Sequence, residues 1–336
     1  MSLVPRVYRS TDAGAPTISG TAGDMVALLD AILVNGYGSG SDAKPAAGWT
    51  ITYTSSNKRV YRNNPITGTG SYLRVDDTGA VNNARTAAIK GFASMSDIDT
   101  GAGQIPPPAD AANGSLWLKS GLLTSAANAW LAIATEKWFY LFVNVSSSGL
   151  TNEQFRNVPF FAGDLDSRLP GDTTNFAVSW SPTITYTTNA TFNSGTFAIG
   201  AGYAAEVISQ RSLVVLQGSD GTPSKWCCNG VPSLSRFTVA SNITLGGYSA
   251  APPYPDPVGG GLMIERVHVV DGAWRIRGFL PNVYAPLHYR PFVNDTPVTD
   301  LEGFPGVSFL ALTLPCGASA TNWGVGIFDI TTEAQS

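Results

Sequence analysis

The sequence predicts a mainly β protein, made of antiparallel β-sandwich-like units with one N-terminal amphipathic α-helix packed on a sheet. Three observations carry that expectation. Short stretches rich in β-branched and aromatic residues recur along the chain. Clusters of Gly, Asn, Asp, Ser and Pro separate them, drawn from 36 glycines and 22 prolines. Only near the N-terminus do apolar residues repeat at three- and four-residue intervals.

The helix is read from Met25, Val26, Leu28, Leu29, Ile32 and Leu33, which lay one apolar stripe along a helical surface. Thr21 and Asp24 have capping-box spacing, so the Thr21 hydroxyl is expected to accept an orphan N–H of the first turn. Asn35-Gly36 then closes the helix, because both residues tolerate the left-handed conformation. Strands are expected at 72–75, 130–134, 138–145, 234–239, 307–314 and 323–330. A hairpin is expected from 263–270 and 273–279 about a two-residue Asp271-Gly272 turn. In its first strand Ile264, Arg266, His268 and Val270 alternate with Glu265, Val267 and Val269, as two-faced strands do.

Three segments read as extended connectors or arms, because proline fixes φ and restricts its predecessor. They are 105–108, 252–257 with Gly259-Gly260-Gly261 behind it, and 281–297. Their residues Pro106, Pro107, Pro253, Tyr254, Tyr284, Pro286, His288, Tyr289 and Phe292 are the candidate assembly contacts. Such arms either cross a neighbouring surface with little ordering cost or fold back onto their own domain. The polar stretch 181–194 reads as an exposed meander or a loop. Ser146-Ser147-Ser148-Gly149 suggests a division into an N-terminal α+β domain, 1–145, and a C-terminal β-rich domain, 158–336; a single domain is the alternative.

Composition narrows the function classes. Only 13% of the 336 residues are charged, against about a quarter in ordinary soluble domains. A chain so poor in charge is suited to burying surface against neighbours. Net charge is −4 and the basic residues are scattered, so nucleic acid is not an expected partner. Apolar runs are strand-length, well short of the ~20 residues of a spanning helix, so no membrane span is expected. The opening Met-Ser-Leu-Val-Pro-Arg has no secretory pattern, which suggests synthesis in a cytoplasm without export through a signal pathway. Cys227, Cys228 and Cys316 form no C-x-x-C spacing and read as small buried apolar residues.

Patterns that could carry chemistry are few. Gly200-Ala201-Gly202-Tyr203-Ala204-Ala205 fits G-x-G-x-x-A, but no alternation of strands and helices follows it, so a glycine-rich strand or turn is expected. His268 sits in a strand and His288 in a proline-rich segment, and no G-x-S-x-G elbow supplies a nucleophile. Asp76 and Asp77 are adjacent and so should face opposite ways, which disfavours them as a working pair. Asp164, Asp166 and Asp172 lack the spacing of an EF-hand loop and read as turn residues. Trp49, Trp130, Trp138 and Trp274 stand in strand-like contexts, where core packing is the usual role. No enzyme, cofactor or metal is expected.

An ordered set of motifs carries a resemblance. It begins with Val7-Tyr8-Arg9-Ser10-Thr11-Asp12-Ala13-Gly14-Ala15-Pro16, then Val34-Asn35-Gly36-Tyr37-Gly38 and Ala46-Ala47-Gly48-Trp49-Thr50. Tyr72-Leu73-Arg74-Val75-Asp76-Asp77-Thr78 and Ala84-Arg85-Thr86 follow. Near the end stand Arg277-Gly278-Phe279-Leu280-Pro281-Asn282-Val283-Tyr284-Ala285-Pro286-Leu287 and Phe328-Asp329-Ile330-Thr331. The set resembles a poorly characterised family of virion structural proteins of tailed bacteriophages, and it is weaker in the middle of the chain. The resemblance implies a non-enzymatic particle component, tail- or baseplate-associated, located in the virion. Its partners would be other phage virion proteins and copies of itself. The alternatives are a capsid head decoration protein, or a receptor-binding tail module with a host surface glycan as partner. No catalytic or ligand residue comes with the resemblance. Arg9, Arg74 and Arg85, beside Asp12, Asp76 and Asp77, are expected to form ion pairs within the fold or between subunits.

Overall fold

The computed structural model describes residues 5–109, 111–145, 157–180, 213–221, 227–230, 261–262, 264–270, 276–286, 292–293, 295–299, 301, 303–315 and 323–331. The protein is mainly β, with antiparallel sheets and a short N-terminal helix. A five-stranded sheet has the order Thr50–Ser55, Lys58–Arg62, Tyr72–Asp76, Thr86–Phe92, Ser115–Leu118. Beside it runs a large sheet with thirteen described strands. Its first half is ordered Arg6–Arg9, Trp130–Ala134, Trp138–Asn144, Asn157–Asp164, Phe176–Trp180, Leu213–Leu216 and Cys227–Gly230. Ile264–Val270, Ile276–Pro286, Trp323–Asp329, Phe309–Pro315 and Thr296–Val298 complete the path, and Asp166–Ser167 pairs beside Ile276–Pro286.

The run Trp138–Asn144 shows why the layers stack as they do. All seven of its residues are buried, and alternate ones enter different cores. Phe139, Leu141 and Val143 join the helix and the small sheet. Trp138, Tyr140 and Phe142 pack instead with Val267, Leu280, Leu310 and Phe328 from the far half of the same sheet. A strand covered on both faces reads as continuous apolar sequence, as this one does. The large sheet therefore folds back over itself, and a sandwich-like stack results.

The expected domain boundary falls inside a hydrogen-bonded pair. Asn144 faces Asn157 across antiparallel strands, so the sheet continues from one side of the interval to the other. One core also takes residues from both sides, Leu73 and Trp117 together with Phe160 and Val215.

The helix buries the stripe read from sequence, Met25, Val26, Leu28, Leu29, Ile32 and Leu33. It is α-helical over Asp24–Leu29 and then widens into a π-turn over Asp30–Asn35. Gly36, at φ 74°, ends it as expected, and a Cβ there would lie 2.5 Å from the Lys44 carbonyl oxygen. The capping box does not form. Gly23 is the N-cap, Asp24 takes a hydrogen bond from Ser19 Oγ, and the Met25 N–H donates to Asp77 Oδ2 at 2.8 Å. The cap comes from the small sheet because that sheet is already packed against the helix start.

The hairpin of Ile264–Val270 with Ile276–Pro286 pairs as expected, and the expected Asp271-Gly272 turn lies outside the described residues. Val267 and Val269 are buried while Arg266 and His268 are half-exposed, in line with the alternation. The arm reading of 281–297 is corrected at its start. Ile276–Pro286 is one eleven-residue strand, flanked by Ile264–Val270 and Trp323–Asp329. Proline is tolerated there because Pro281 lies in a bulged stretch and Pro286 at the strand end. The strand expected at 234–239, the polar stretch 181–194 and the glycine motif at 200–205 lie outside the described residues.

Candidate functional site

Among the described residues, the most deeply buried ion pair lies where the helix meets the small sheet. Asp77 follows the strand Tyr72–Asp76, and Lys119 follows the strand Ser115–Leu118. Both side chains have no exposure to solvent. Lys119 Nζ sits 2.6 Å from Asp77 Oδ1 and 2.7 Å from Oδ2, with hydrogen-bond geometry only to Oδ2. It also donates to the Thr21 carbonyl oxygen just ahead of the helix. Burial pushes the Asp77 carboxyl up to about 6, against the pull of Lys119 and the Met25 N–H. Burial likewise lowers Lys119, against the attraction of Asp77 and Asp24. Both shifts favour the uncharged pair.

Asp76, the neighbour of Asp77, points to another cluster, as adjacency in an extended chain requires. It lies 3.2 Å from Arg74 Nη2 and 3.3 Å from Lys58 Nζ, and Arg74 also binds Asp99. The expected Arg74 pairing is therefore made within the chain. Arg9 instead reaches Asp295 at 3.0 Å, while Asp12 accepts from the Arg9 backbone and the Tyr37 hydroxyl. Arg85 bonds to Asn83 and the Gly121 carbonyl.

The aspartates read as turn residues have different roles. Asp164 is buried and holds the loop at 63–71, accepting from Asn63 Nδ2 at 2.9 Å, Thr69 Oγ1 at 2.7 Å and the Thr69 N–H at 2.8 Å. Burial raises its carboxyl above the ordinary value, and those three donors oppose the rise. Asp172 meets Arg277 at 2.8 Å in a nearly solvent-free pair. Burial opposes ionisation there, yet bonds from Ser167 and Thr174 and the Arg277 charge bring Asp172 below its ordinary value. Asp166 pairs with Arg266, whose guanidinium lies over the Phe279 ring at 4.2 Å. His268 packs against the same ring at 4.9 Å, and burial lowers its imidazole. It is a packed residue of the sheet, with no nucleophile beside it among the contacts described.

The candidate assembly contacts divide into three groups. Pro106 and Pro107 are buried, and Ile105 before them exchanges backbone hydrogen bonds with Gly91 at 2.7 and 2.9 Å. That segment is docked on its own sheet, the second of the two readings open to it. Pro286 is buried, while Tyr284 and Phe292 are half-buried beside Phe309 and its neighbours. Tyr284 and Phe292 face the chain's own C-terminal core. Pro253, Tyr254, His288 and Tyr289 lie outside the described residues.

Trp49, Trp130 and Trp138 are core residues, as expected, and the first two donate indole N–H bonds to the Thr135 and Pro16 carbonyls. Cys227 and Cys228 fall on a described strand, while Cys316 and Trp274 lie outside the described residues. Lys119 escaped sequence reasoning altogether. One lysine after Leu116-Trp117-Leu118 carries no signal, because only the fold brings it to Asp77.

Among the described residues no group of three His, Cys, Asp or Glu side chains is placed to hold a metal ion, and no helix is long and apolar enough to cross a membrane. No protein-family model matches the chain, and no curated protein matches it.

Proposed function

We propose that this chain is a structural protein of a tailed-bacteriophage virion, associated with the tail or baseplate and acting through contacts with other particle proteins and with copies of itself. The observation that carries the reading is how the motifs of the resemblance are used. Their polar side chains close the fold instead of converging on a reactive centre. Tyr8 donates to the Pro45 carbonyl at 2.8 Å, Asp12 ties Arg9 to Tyr37, Asp77 caps the helix, and Arg277 is paired inside. Motifs of that kind specify a scaffold. Low charge supports the same reading, since little of the surface is then costly to cover.

Apolar surface suited to contact is present. Ile66 is 90% exposed at the tip of a loop held by Asn64 and Thr67, whose side chains donate to the two Glu136 carboxylate oxygens. A pinned loop presents its side chain with little ordering cost. The test is mass spectrometry and antibody labelling of purified particles. Labelled tails or baseplates are expected; particles without the protein overturn the reading, and labelled heads would favour the decoration alternative.

A further inference from the structure

We propose that Lys119 and Asp77 condense into an intramolecular isopeptide bond, a covalent strut between two strands of the small sheet at the helix start. The inference does not depend on where the protein is assembled. With both carboxylate oxygens of Asp77 at 2.6 and 2.7 Å, the carbonyl carbon lies within about 3 Å of Lys119 Nζ, the separation of a near-attack arrangement. Neither side chain is exposed to solvent, so hydrolysis does not compete as it would at the surface.

The step balances without any co-reactant. The ammonium of Lys119 passes one proton to the Asp77 carboxylate, giving amine and acid. Nζ then attacks the carboxyl carbon, forming the C–N bond. A second proton moves from Nζ to the departing oxygen, the C–Oδ1 bond breaks, and one water leaves. The shifts of both groups towards their neutral forms favour the first transfer. Negative charge that develops on Oδ2 during attack meets the Met25 N–H, already 2.8 Å away.

The hydrogen-bond pattern suits the product better than the ion pair. Oδ1, the oxygen that would leave, is buried with no hydrogen-bond partner. Oδ2 becomes the amide oxygen and keeps the Met25 N–H. The amide N–H keeps the Thr21 carbonyl, which Lys119 already contacts. Two buried charges and one orphaned oxygen are replaced by a neutral, satisfied amide.

Intact mass and tryptic digestion of the folded full-length chain test this, with folding checked by circular dichroism. The expected mass is one water below that of the sequence. The digest should contain one branched peptide joining residues 75–85 to 91–137, uncut after Lys119. Lys119→Arg keeps the charge, cannot form the bond, and should restore the full mass and the cleavage. Folded wild-type chain cut normally after Lys119 overturns the proposal. So does water loss without the branched peptide, which would mark a cyclic imide at Asp77. The wild-type digest decides alone, whether or not the variant folds.

Discussion

Trp117 lies flat against Phe160, with ring centroids 4.6 Å apart and 11° between the ring planes. The first residue belongs to the small sheet and the second to the large one, so this stack is a bolt between layers. The Trp117 indole N–H and the Ser115 hydroxyl both reach the Ser179 carbonyl, at 3.3 and 2.6 Å. Trp117→Ala would open a cavity and leave the layers poorly joined. A loss of about 3–5 kcal/mol is expected from urea unfolding. A change below about 0.5 kcal/mol, the scale of surface substitutions, would mean the layers are not coupled there.

Gly163 stands directly opposite Trp138 in the paired strands, at φ 137°. A Cβ at that position would come 2.3 Å from the Trp138 Cα, which is backbone and cannot rotate aside. Gly163→Ala should therefore cost at least about 1–3 kcal/mol, from strain and forced displacement together. Thermal unfolding checks it. Gly171, also at positive φ, has open space where a Cβ would stand, so Gly171→Ala should cost less.

The Asp172–Arg277 pair sets an acid limit on stability. Asp172 sits below its ordinary value of 3.8 in the folded chain, so the folded state binds its proton less readily than the unfolded one. Its contribution is present above pH 3.8 and is lost as pH falls through the lower folded value. Asp172→Asn should flatten the pH dependence of the unfolding midpoint in that acid range. It should also lower stability at neutral pH by about 3–5 kcal/mol, because Arg277 is left buried without its counter-charge.

Ile66 separates folding from assembly. Ile66→Asp changes an exposed side chain and should leave stability within about 0.5 kcal/mol of the parent. Under the virion reading, incorporation into particles should fall in competition with unmodified protein. Equal incorporation would show that this loop tip is not a contact.

Fold class was legible because it depends on local pattern. Period-two and apolar runs placed the strands near 72, 130, 138, 307 and 323, and the stripe from Met25 to Leu33 placed the helix. Local chemistry also marked Gly36 as the helix end. The cap and the fate of the proline segments were not legible, since each depends on what packs alongside. Asp77 out-competes Thr21 because the folded sheet delivers a carboxylate to the helix start from 52 positions away. Pro106 and Pro107 have the composition of an arm, yet Gly91 holds Ile105 and docks the segment.

Sequence alone thus determined the alternation of apolar and polar residues, and with it the strands, the helix stripe and the low charge of the chain. Tertiary structure alone decided which ionisable groups meet and which of them lose water. A lysine and an aspartate have the same chemistry anywhere in a sequence; docking the helix start on the small sheet is what buries Lys119 and Asp77 and sets them against each other.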